Sequence, residues 1–160
     1  MSKKVLVIGG SAFTGRVFCI QMSKNEDYEL HVVNRGQFPL NLKGVKEYKC
    51  DRHNPRMVAR LLPADMIFDV MIDFPAYNPG EVSSILEALA GRVRHYIVFS
   101  TASVYEPYDH QIKKEGDPVV TKSEGGRVSD YIYNKILLEQ ETIRTCKTLD
   151  IPYTIMRPTF

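Results

Sequence analysis

The chain has 160 residues, of which 44% are hydrophobic and 25% charged, so it is long enough to enclose one hydrophobic core. Its net charge of +2 arises from interspersed residues of both signs, and no run of like charges calls for a nucleic-acid partner. No apolar stretch approaches the roughly 20 residues of a membrane span, so none is predicted.

Cysteine usage is typical of a reducing compartment. Cys19, Cys50 and Cys146 are odd in number, far apart in sequence and without metal-ligand spacing. They predict neither a disulfide nor a metal site, and a cytoplasmic location is expected. The basic residues before the first apolar run are not a signal peptide, because that run is short and ends in a glycine turn.

Short apolar runs rich in β-branched residues alternate with helical patterns along the chain. Strands are predicted over 3–9, 29–34, 45–50, 66–73, 95–100 and 152–157. Helices are predicted over 14–24, 55–62, 79–91 and 129–148. This alternation predicts βαβ units and hence the α/β class, with a Rossmann-type doubly wound, mostly parallel sheet and helices on both of its faces.

The first predicted strand is followed by GGSAFTGR, residues 9–16, a sequence typical of a strand that turns sharply into a helix. Backbone N–H groups and the positive helix N-terminus at such a turn can hold a pyrophosphate. Gly9 permits the turn and Gly15 permits close helix packing, whereas Ala12 replaces the middle glycine of the usual motif. Gly9, Ala12, Phe13 and Gly15 are therefore candidate cofactor contacts, and an ordinary glycine turn is the alternative.

The ends of the second and third strands bear on the choice of dinucleotide. Where NAD-binding domains carry an acidic residue for the ribose 2′-hydroxyl, this chain has Asn34 followed by Arg35. A guanidinium can pair with a 2′-phosphate, so NADP is the favoured cofactor and NAD the alternative. Asp51, at the end of the third strand, is a candidate acceptor for the adenine amino group. The alternative is that Arg35 and Asp51 are solvated surface residues that bind no ligand.

A polar segment rich in Gly and Pro, residues 106–127, is longer than ordinary connections in compact domains. It is predicted to be mobile or functional, and an untethered surface loop is the alternative of equal weight.

Motifs on both sides of this segment complete the pattern. The fifth strand ends in VFSTASVY, and SDYIYNK, residues 129–135, follows the segment. A Tyr-x-x-x-Lys pair is expected about 0.6 times by chance in a chain of this composition, so it matters only in a site that needs it. With the glycine turn, CDR and the terminal MRPTF, this order resembles the extended short-chain dehydrogenases/reductases, specifically the NAD-dependent epimerase/dehydratase family. The resemblance covers nearly the whole chain.

The resemblance implies a catalytic set of Thr101, Tyr131 and Lys135, with Ser100 and Ser103 as lower-ranked neighbours of the threonine. A tyrosine has a pKa of about 10, so tyrosinate near pH 7 must be stabilised by about 4 kcal/mol. The ammonium one helical turn away and a positive nicotinamide ring can supply much of that. In this hypothesis Tyr131 takes a proton from a substrate hydroxyl while hydride passes to the nicotinamide. Thr101 bonds the same oxygen, and Lys135 also holds the nicotinamide ribose. The alternative is that the Tyr131–Lys135 pair has no catalytic role, with Tyr131 packed on the helix face and Lys135 a solvated charge.

The resemblance also places two further segments beside the cofactor. IDFPAYN, residues 72–78, would line the crevice through Phe74, Pro75 and Ala76, with a Pro-containing turn as the equally weighted alternative. The terminal segment would approach the cofactor through Arg157 and Pro158.

The resembling enzymes continue into a substrate-binding part, so residues 1–160 are predicted to form a Rossmann domain that lacks it. The expected substrate is a small molecule, with nucleotide-sugars the commonest in that branch, and epimerase, dehydratase and reductase chemistry are not distinguished. The alternative function is an NADP- or RNA-binding module with little catalysis, as in an atypical branch of the superfamily.

A homodimer through the helices at 79–91 and 129–148 is a further expectation from the resemblance. The apolar residues of the first helix fit packing on their own sheet equally well. These residues are Val82, Ile85, Leu86 and Leu89.

Overall fold

The structure is a computed structural model that describes residues 2–106 and 112–159. Its strands are β1 (Lys3–Ile8), β2 (Tyr28–Asn34), β3 (Val45–Lys49), β4 (Val70–Asp73), β5 (Tyr96–Phe99) and β6 (Tyr153–Met156). Its helices are α1 (Phe13–Met22), α2 (Pro55–Leu61), α3 (Glu81–Ala88) and α4 (Arg127–Thr148), with a 3₁₀ helix at Ala102–Val104. Every predicted strand and helix is present, in the predicted order.

The six strands form one sheet in the order β3-β2-β1-β4-β5-β6, and all five pairings are parallel. The predicted α/β class and Rossmann-type doubly wound sheet are therefore confirmed. The chain moves outward from β1 in both directions, so the order reverses between β1 and β4. A crevice opens at the carboxyl ends of the strands at such a reversal, and ligands of doubly wound sheets bind there.

The fourth strand is shorter than predicted, because it begins at Val70 and not at residue 66. Phe68 makes only an isolated bridge to Val93. The Arg92 side chain donates hydrogen bonds to the carbonyl oxygens of Ala59, Pro63 and Met66. These bonds hold the chain in a turn after α2, and the strand starts only beyond it.

Helices cover both faces of the sheet, as predicted. On one face, α2, α3 and α4 bury apolar residues that include Val58, Leu86 and Leu138. On the other face, α1 packs through Cys19, with Phe18 partly buried beside it. The strands between these layers are apolar on both sides, which explains the continuous apolar runs of the sequence.

The apolar face of α3 is used inside the chain. All four of its predicted apolar residues, Val82, Ile85, Leu86 and Leu89, are fully buried in the core shared with the sheet and α4. The structure thus supports packing on the chain's own sheet, and these side chains do not supply a surface for a second copy.

Part of the long predicted segment, residues 107–111, lies outside the described residues. The remainder is attached to the fold, since Val120 N–H donates to Val104 O at 2.8 Å and Glu106 N–H donates to Pro118 O at 2.8 Å. For this remainder the untethered-loop alternative is wrong. The described part of the segment comes after the 3₁₀ helix and is hydrogen-bonded back to Val104 in that helix.

The described ranges contain no helix that is long and apolar enough to cross a membrane. In the same ranges, no group of three or more His, Cys, Asp or Glu residues could hold a metal ion. The three cysteines are free thiols, with Cys19 and Cys146 buried.

A carboxylate from α4 caps the start of α3. The buried Glu141 accepts hydrogen bonds from the backbone N–H groups of Gly80 and Ser83, each at 2.7 Å. The N–H groups of a first helical turn lack partners within the helix, and a negative charge there also complements the helix dipole. Glu141 therefore fixes how α3 meets α4.

Replacing Glu141 with Ala is expected to lower the free energy of unfolding by about 1–2 kcal/mol, because two N–H donors at the start of α3 lose their acceptor. Urea denaturation followed by circular dichroism measures this change. The exposed neighbour Gln140 offers a matched control, since Gln140→Ala should change the free energy by less than about 0.5 kcal/mol. Equal small effects from both variants would show that Glu141 does not stabilise α3.

Candidate functional site

The turn between β1 and α1 requires glycine for two different reasons. Gly9 has φ of 92°, and a Cβ there would lie 2.5 Å from Cδ of Pro75. At Gly15 a Cβ would lie 3.2 Å from both the Gly10 Cα and the Phe74 ring. Left-handed backbone and the contact with Pro75 strongly disfavour other residues at Gly9, and close packing leaves little room for a side chain at Gly15. The conformational roles predicted for these two glycines are confirmed.

The N-terminus of α1 is open. Ala12 occupies the N-cap position in an extended conformation and provides no side-chain hydrogen bond, and the first turn has no acidic residue. Phe13 is 93% exposed, and its side chain has no polar group that could cap the helix. Uncapped N–H groups at the positive end of a helix form an anion site, so the turn fits the pyrophosphate of a dinucleotide.

Two charged side chains lie just after neighbouring strands of the sheet. Arg35 follows β2 and Asp51 follows β3, and both are exposed. Hydrogen bonds from the backbone N–H and ring of His53 lower the pKa of Asp51, and the nearby positive charge of Arg35 lowers it further. A guanidinium and a carboxylate are thus available at the edge where the sequence placed the adenosine.

Asn34 has a different environment from Arg35. Its side chain is buried, donates to Glu47 Oε1 at 2.9 Å and accepts from the Gly36 N–H at 2.7 Å. Burial opposes ionisation of Glu47, but bonds from Asn34 and from the Leu40 N–H outweigh it and lower the pKa of Glu47. The Asn34 amide therefore holds the turn after β2.

Lys135, one of the three predicted catalytic residues, is buried. Its Nζ donates to the carbonyl oxygens of Ala76 at 2.6 Å and Phe99 at 2.8 Å. The same Nζ is 4.4 Å from the Tyr77 ring centroid and 5.8 Å from that of Tyr131. Burial lowers the pKa of Lys135 to about 8, although nearby carboxylates oppose the shift. Phe99 ends β5 two residues before Thr101, so Lys135 is bonded to the strand end that leads to Thr101.

Thr101 and Tyr131 differ in exposure. Thr101 is buried, and its Oγ1 accepts a hydrogen bond from the Ser103 N–H at 3.2 Å at the start of the 3₁₀ helix. Tyr131 is half-buried, and burial, followed by the neighbouring Tyr77, raises its pKa. The Tyr131 phenol is therefore protonated in the chain alone, and further positive charge is needed to form tyrosinate.

Ser100, the residue before Thr101, has an unusual environment. Its Oγ is a buried side-chain oxygen without a hydrogen-bond partner, which no other residue of the described part of the chain has. Buried hydroxyls nearly always have a partner. The end of β5 therefore offers a polar group next to Thr101.

A buried ion pair below the crevice was missed by the sequence analysis. Arg52 donates to Asp73 Oδ1 at 2.7 Å and to the Glu81 carbonyl oxygen at 2.8 Å, while the Tyr96 hydroxyl donates to Asp73 Oδ2 at 3.0 Å. Burial raises the pKa of Asp73, and the guanidinium and phenol oppose that rise. An acidic residue at the end of the apolar run MIFDVMID, and the arginine of CDR, were the available signals.

Glu81 connects this pair to the surface. Its carboxylate accepts from the Tyr77 N–H at 2.8 Å, from Asn78 Nδ2 at 2.9 Å and from the His53 ring at 3.1 Å. Burial opposes ionisation, but these donors and the Arg52 charge lower the pKa of Glu81 to about 2. The other ring nitrogen of His53 lies 2.7 Å from Asp51, and its two carboxylate partners raise the pKa of His53.

The terminal segment is fixed by a second ion pair. Arg157 donates two hydrogen bonds to the Glu139 carboxylate, at 2.9 and 2.6 Å, and stacks 4.8 Å from the Tyr105 ring centroid. The Pro158 carbonyl accepts from the Ala102 N–H at 3.0 Å. Both residues thus support the segment that contains Thr101.

A model of the NAD dependent epimerase/dehydratase family matches residues 5–159. No curated protein sequence matches the chain. Among solved structures, the UDP-Glc/GlcNAc 4-epimerase from Campylobacter jejuni has a TM-score of 0.79 and 18% identity, over 98% of this chain and 53% of that one. An epimerase from Methanothermobacter thermautotrophicus has a TM-score of 0.77 and 16% identity, over 98% and 51%.

The UDP-glucuronic acid 4-epimerase from Bacillus cereus, in complex with UDP-glucuronic acid and NAD, has a TM-score of 0.72 and 19% identity. The match covers 96% of this chain and 55% of that one. The chain therefore spans about half the length of these solved structures. At these identities the structural similarity establishes the fold.

Replacing Arg52 with Met is expected to lower the free energy of unfolding by roughly 3–5 kcal/mol, because the buried Asp73 carboxylate loses its counter-charge. Urea denaturation measures the change, with Arg56→Met on exposed helix α2 surface as the control. The double variant Arg52→Met with Asp73→Asn should recover part of the loss. A loss below about 1 kcal/mol for Arg52→Met would contradict a stabilising role for the pair.

Proposed function

The chain belongs to the NAD dependent epimerase/dehydratase family, and from this premise we propose that it forms the dinucleotide site of an NADP-dependent oxidoreductase acting on a nucleotide-sugar hydroxyl. The reaction centre of the proposal consists of Thr101, Tyr131 and Lys135. One observation supports this set above all: the buried Lys135 ammonium bonds the end of β5 at Phe99 and lies 5.8 Å from the Tyr131 ring centroid.

The cofactor would lie along the carboxyl edge of the sheet. The N–H groups at Ala12, Phe13 and the glycines of the turn would hold its pyrophosphate, since the α1 N-terminus is uncapped. Pro75 and Ala76 would line the crevice, because Pro75 packs on Gly9 and the Ala76 carbonyl bonds Lys135. Asp51 would accept a hydrogen bond from the adenine amino group.

Asn34 and Arg157 take supporting positions in this proposal. The Asn34 amide is bonded to Glu47 and Gly36, and the Arg157 guanidinium is bonded to Glu139. Pro158 acts with Arg157 by bonding Ala102 through its carbonyl oxygen. These residues hold the loops that contact the cofactor and leave Arg35 as the exposed cation after β2.

Arg35 supports NADP over NAD. Its guanidinium is exposed at the strand end, where a 2′-phosphate can pair with it, and β2 ends without a carboxylate that would repel that phosphate. A charge-assisted pair with phosphate gives a substantial preference between the two dinucleotides.

In the proposed reaction each of the three residues has one role. Nicotinamide, when bound, would supply the hydride acceptor for the carbon that carries the reacting hydroxyl. Tyr131 takes the hydroxyl proton on its phenolate oxygen, and Thr101 donates a hydrogen bond to the same substrate oxygen. Lys135 carries the positive charge that lowers the phenol's proton affinity, and it also bonds the ribose hydroxyls.

Titration of the purified chain with NADPH and NADH tests the cofactor assignment. We expect NADPH to bind at least about tenfold more tightly than NADH, measured by nicotinamide fluorescence at fixed salt, because only NADPH carries the phosphate for Arg35. Arg35→Ala should remove most of this preference and leave NADH affinity near its original value.

Arg16, which bonds the backbone of Ser11 and Pro39, provides a comparison on α1, and Arg16→Ala should leave the ratio unchanged. Equal binding of both nucleotides by the original chain would refute the preference. Failure to bind either nucleotide, with RNA binding that weakens steeply as salt rises, would instead favour the binding-module function.

Replacing Tyr131 with Phe is expected to reduce turnover at least about 100-fold, because the group that takes the proton is lost. The NADPH dissociation constant should stay within about twofold, since the ring remains. The assay follows UDP-glucose and UDP-N-acetylglucosamine by absorbance of reduced nicotinamide and by product chromatography. Tyr133→Phe, on the same helix, is the control. Unchanged turnover in Tyr131→Phe would refute the catalytic assignment.

A further inference from the structure

Lys135 is almost completely buried, although its proposed role requires that a ribose hydroxyl reach its ammonium group. The residue is only 2% exposed, although Tyr131 one turn earlier is half-buried. An ammonium has three N–H donors. Two of them are directed to the carbonyl oxygens of Ala76 and Phe99. A ligand hydroxyl can therefore bond Lys135 only from the one remaining side.

That remaining side is occupied by an aromatic ring. The Tyr77 ring centroid lies 4.4 Å from Nζ, which is the geometry of a cation–π contact. The ring also lies 6.3 Å from the Tyr131 ring at an angle of 45°, so the two phenols enclose the ammonium together. Tyr77 itself is 49% exposed. It is the outermost group over the ammonium and separates Lys135 from solvent.

The backbone below this ring is held in place. The Tyr77 N–H and the Asn78 amide both donate to Glu81, and Pro75 packs closely on the glycine turn. The Ala76 carbonyl is bonded to Lys135. With this backbone held, the half-exposed Tyr77 side chain is the part of the loop that is free to turn away from Lys135.

We propose that Tyr77 is a positioning residue whose ring covers the Lys135 ammonium and turns aside when a ribose hydroxyl bonds to it. The covered and open states compete for the same side of the ammonium, so the ring lowers the apparent affinity for the cofactor. The cofactor half of this inference rests on the proposed function, whereas the cover over Lys135 does not.

Chemical labelling of the cofactor-free chain tests the cover directly. Reductive methylation with formaldehyde and a borohydride reagent modifies accessible, deprotonated lysines, and peptide mass spectrometry gives the rate at Lys135. Tyr77→Ala removes the ring, and Tyr77→Phe keeps it. We expect a severalfold faster rate at Lys135 in Tyr77→Ala and the original rate in Tyr77→Phe. Unchanged rates at the other lysines and an unchanged circular dichroism spectrum control for unfolding.

A rate at Lys135 that is the same in Tyr77→Ala and the original chain would overturn the proposal. It would also be overturned if Tyr77→Phe accelerated labelling as much as Tyr77→Ala, because the ring would then not be the barrier.

Titration with NADPH tests the competition. If the open state makes up about one tenth of the molecules, Tyr77→Ala should bind NADPH about tenfold more tightly, since apparent affinity scales with the competent fraction. Tyr77→Phe should bind as the original chain does. Weaker binding by Tyr77→Ala would overturn the competition, because the ring would then contribute contacts to the bound cofactor. Absence of NADPH binding in every variant would refute the proposed function, and the labelling rates alone would then decide the cover.

Discussion

The carboxyl edge of the sheet depends on one buried carboxylate. Asp73 is fully buried at the end of β4, and an ionised side chain there is tolerated only with partners. Arg52 supplies the opposite charge from the segment after β3, and Tyr96 supplies a hydroxyl from β5. Because Arg52 also bonds the Glu81 carbonyl, the same interaction fixes the start of α3. The end of β4, the segment after β3, the first residue of β5 and the start of α3 are thus set around a single ion pair.

The loop between β4 and α3 connects the two halves of the site. Its first part touches the glycine turn, where Pro75 leaves no room for a side chain at Gly9. Its middle bonds and covers Lys135 through Ala76 and Tyr77. The position of this loop therefore sets both the glycine turn and the exposure of the lysine. A shift of the loop would alter both ends of the site together, which explains why the loop is held so firmly by Glu81.

The fold could be predicted from the sequence because its signals are local. Apolar runs such as VLVI and YIVF specify buried strands, and the glycine turn specifies the first strand-to-helix connection. The catalytic trio could be proposed only because three motifs occur in one order. The Arg52–Asp73–Tyr96 interaction could not, since its members are separated by 21 and 23 residues and no local period relates them. The engagement of Asn34 by Glu47 was missed for the same reason, because register between β2 and β3 decides it.

Lys135 must satisfy two opposing requirements. Burial lowers its pKa to about 8, which weakens the positive charge that the proposed ionisation of Tyr131 needs. Exposure would restore the charge but would surround it with water, where its effect on Tyr131 is much smaller. The two backbone carbonyls resolve part of this conflict, since they stabilise the ammonium without adding a competing negative charge. Without cofactor, the Tyr77 ring resolves the rest, because its π face favours a cation while it excludes water. An aromatic ring that a ligand hydroxyl can displace suits this position better than a carboxylate. A carboxylate would bind the ammonium too strongly to be displaced.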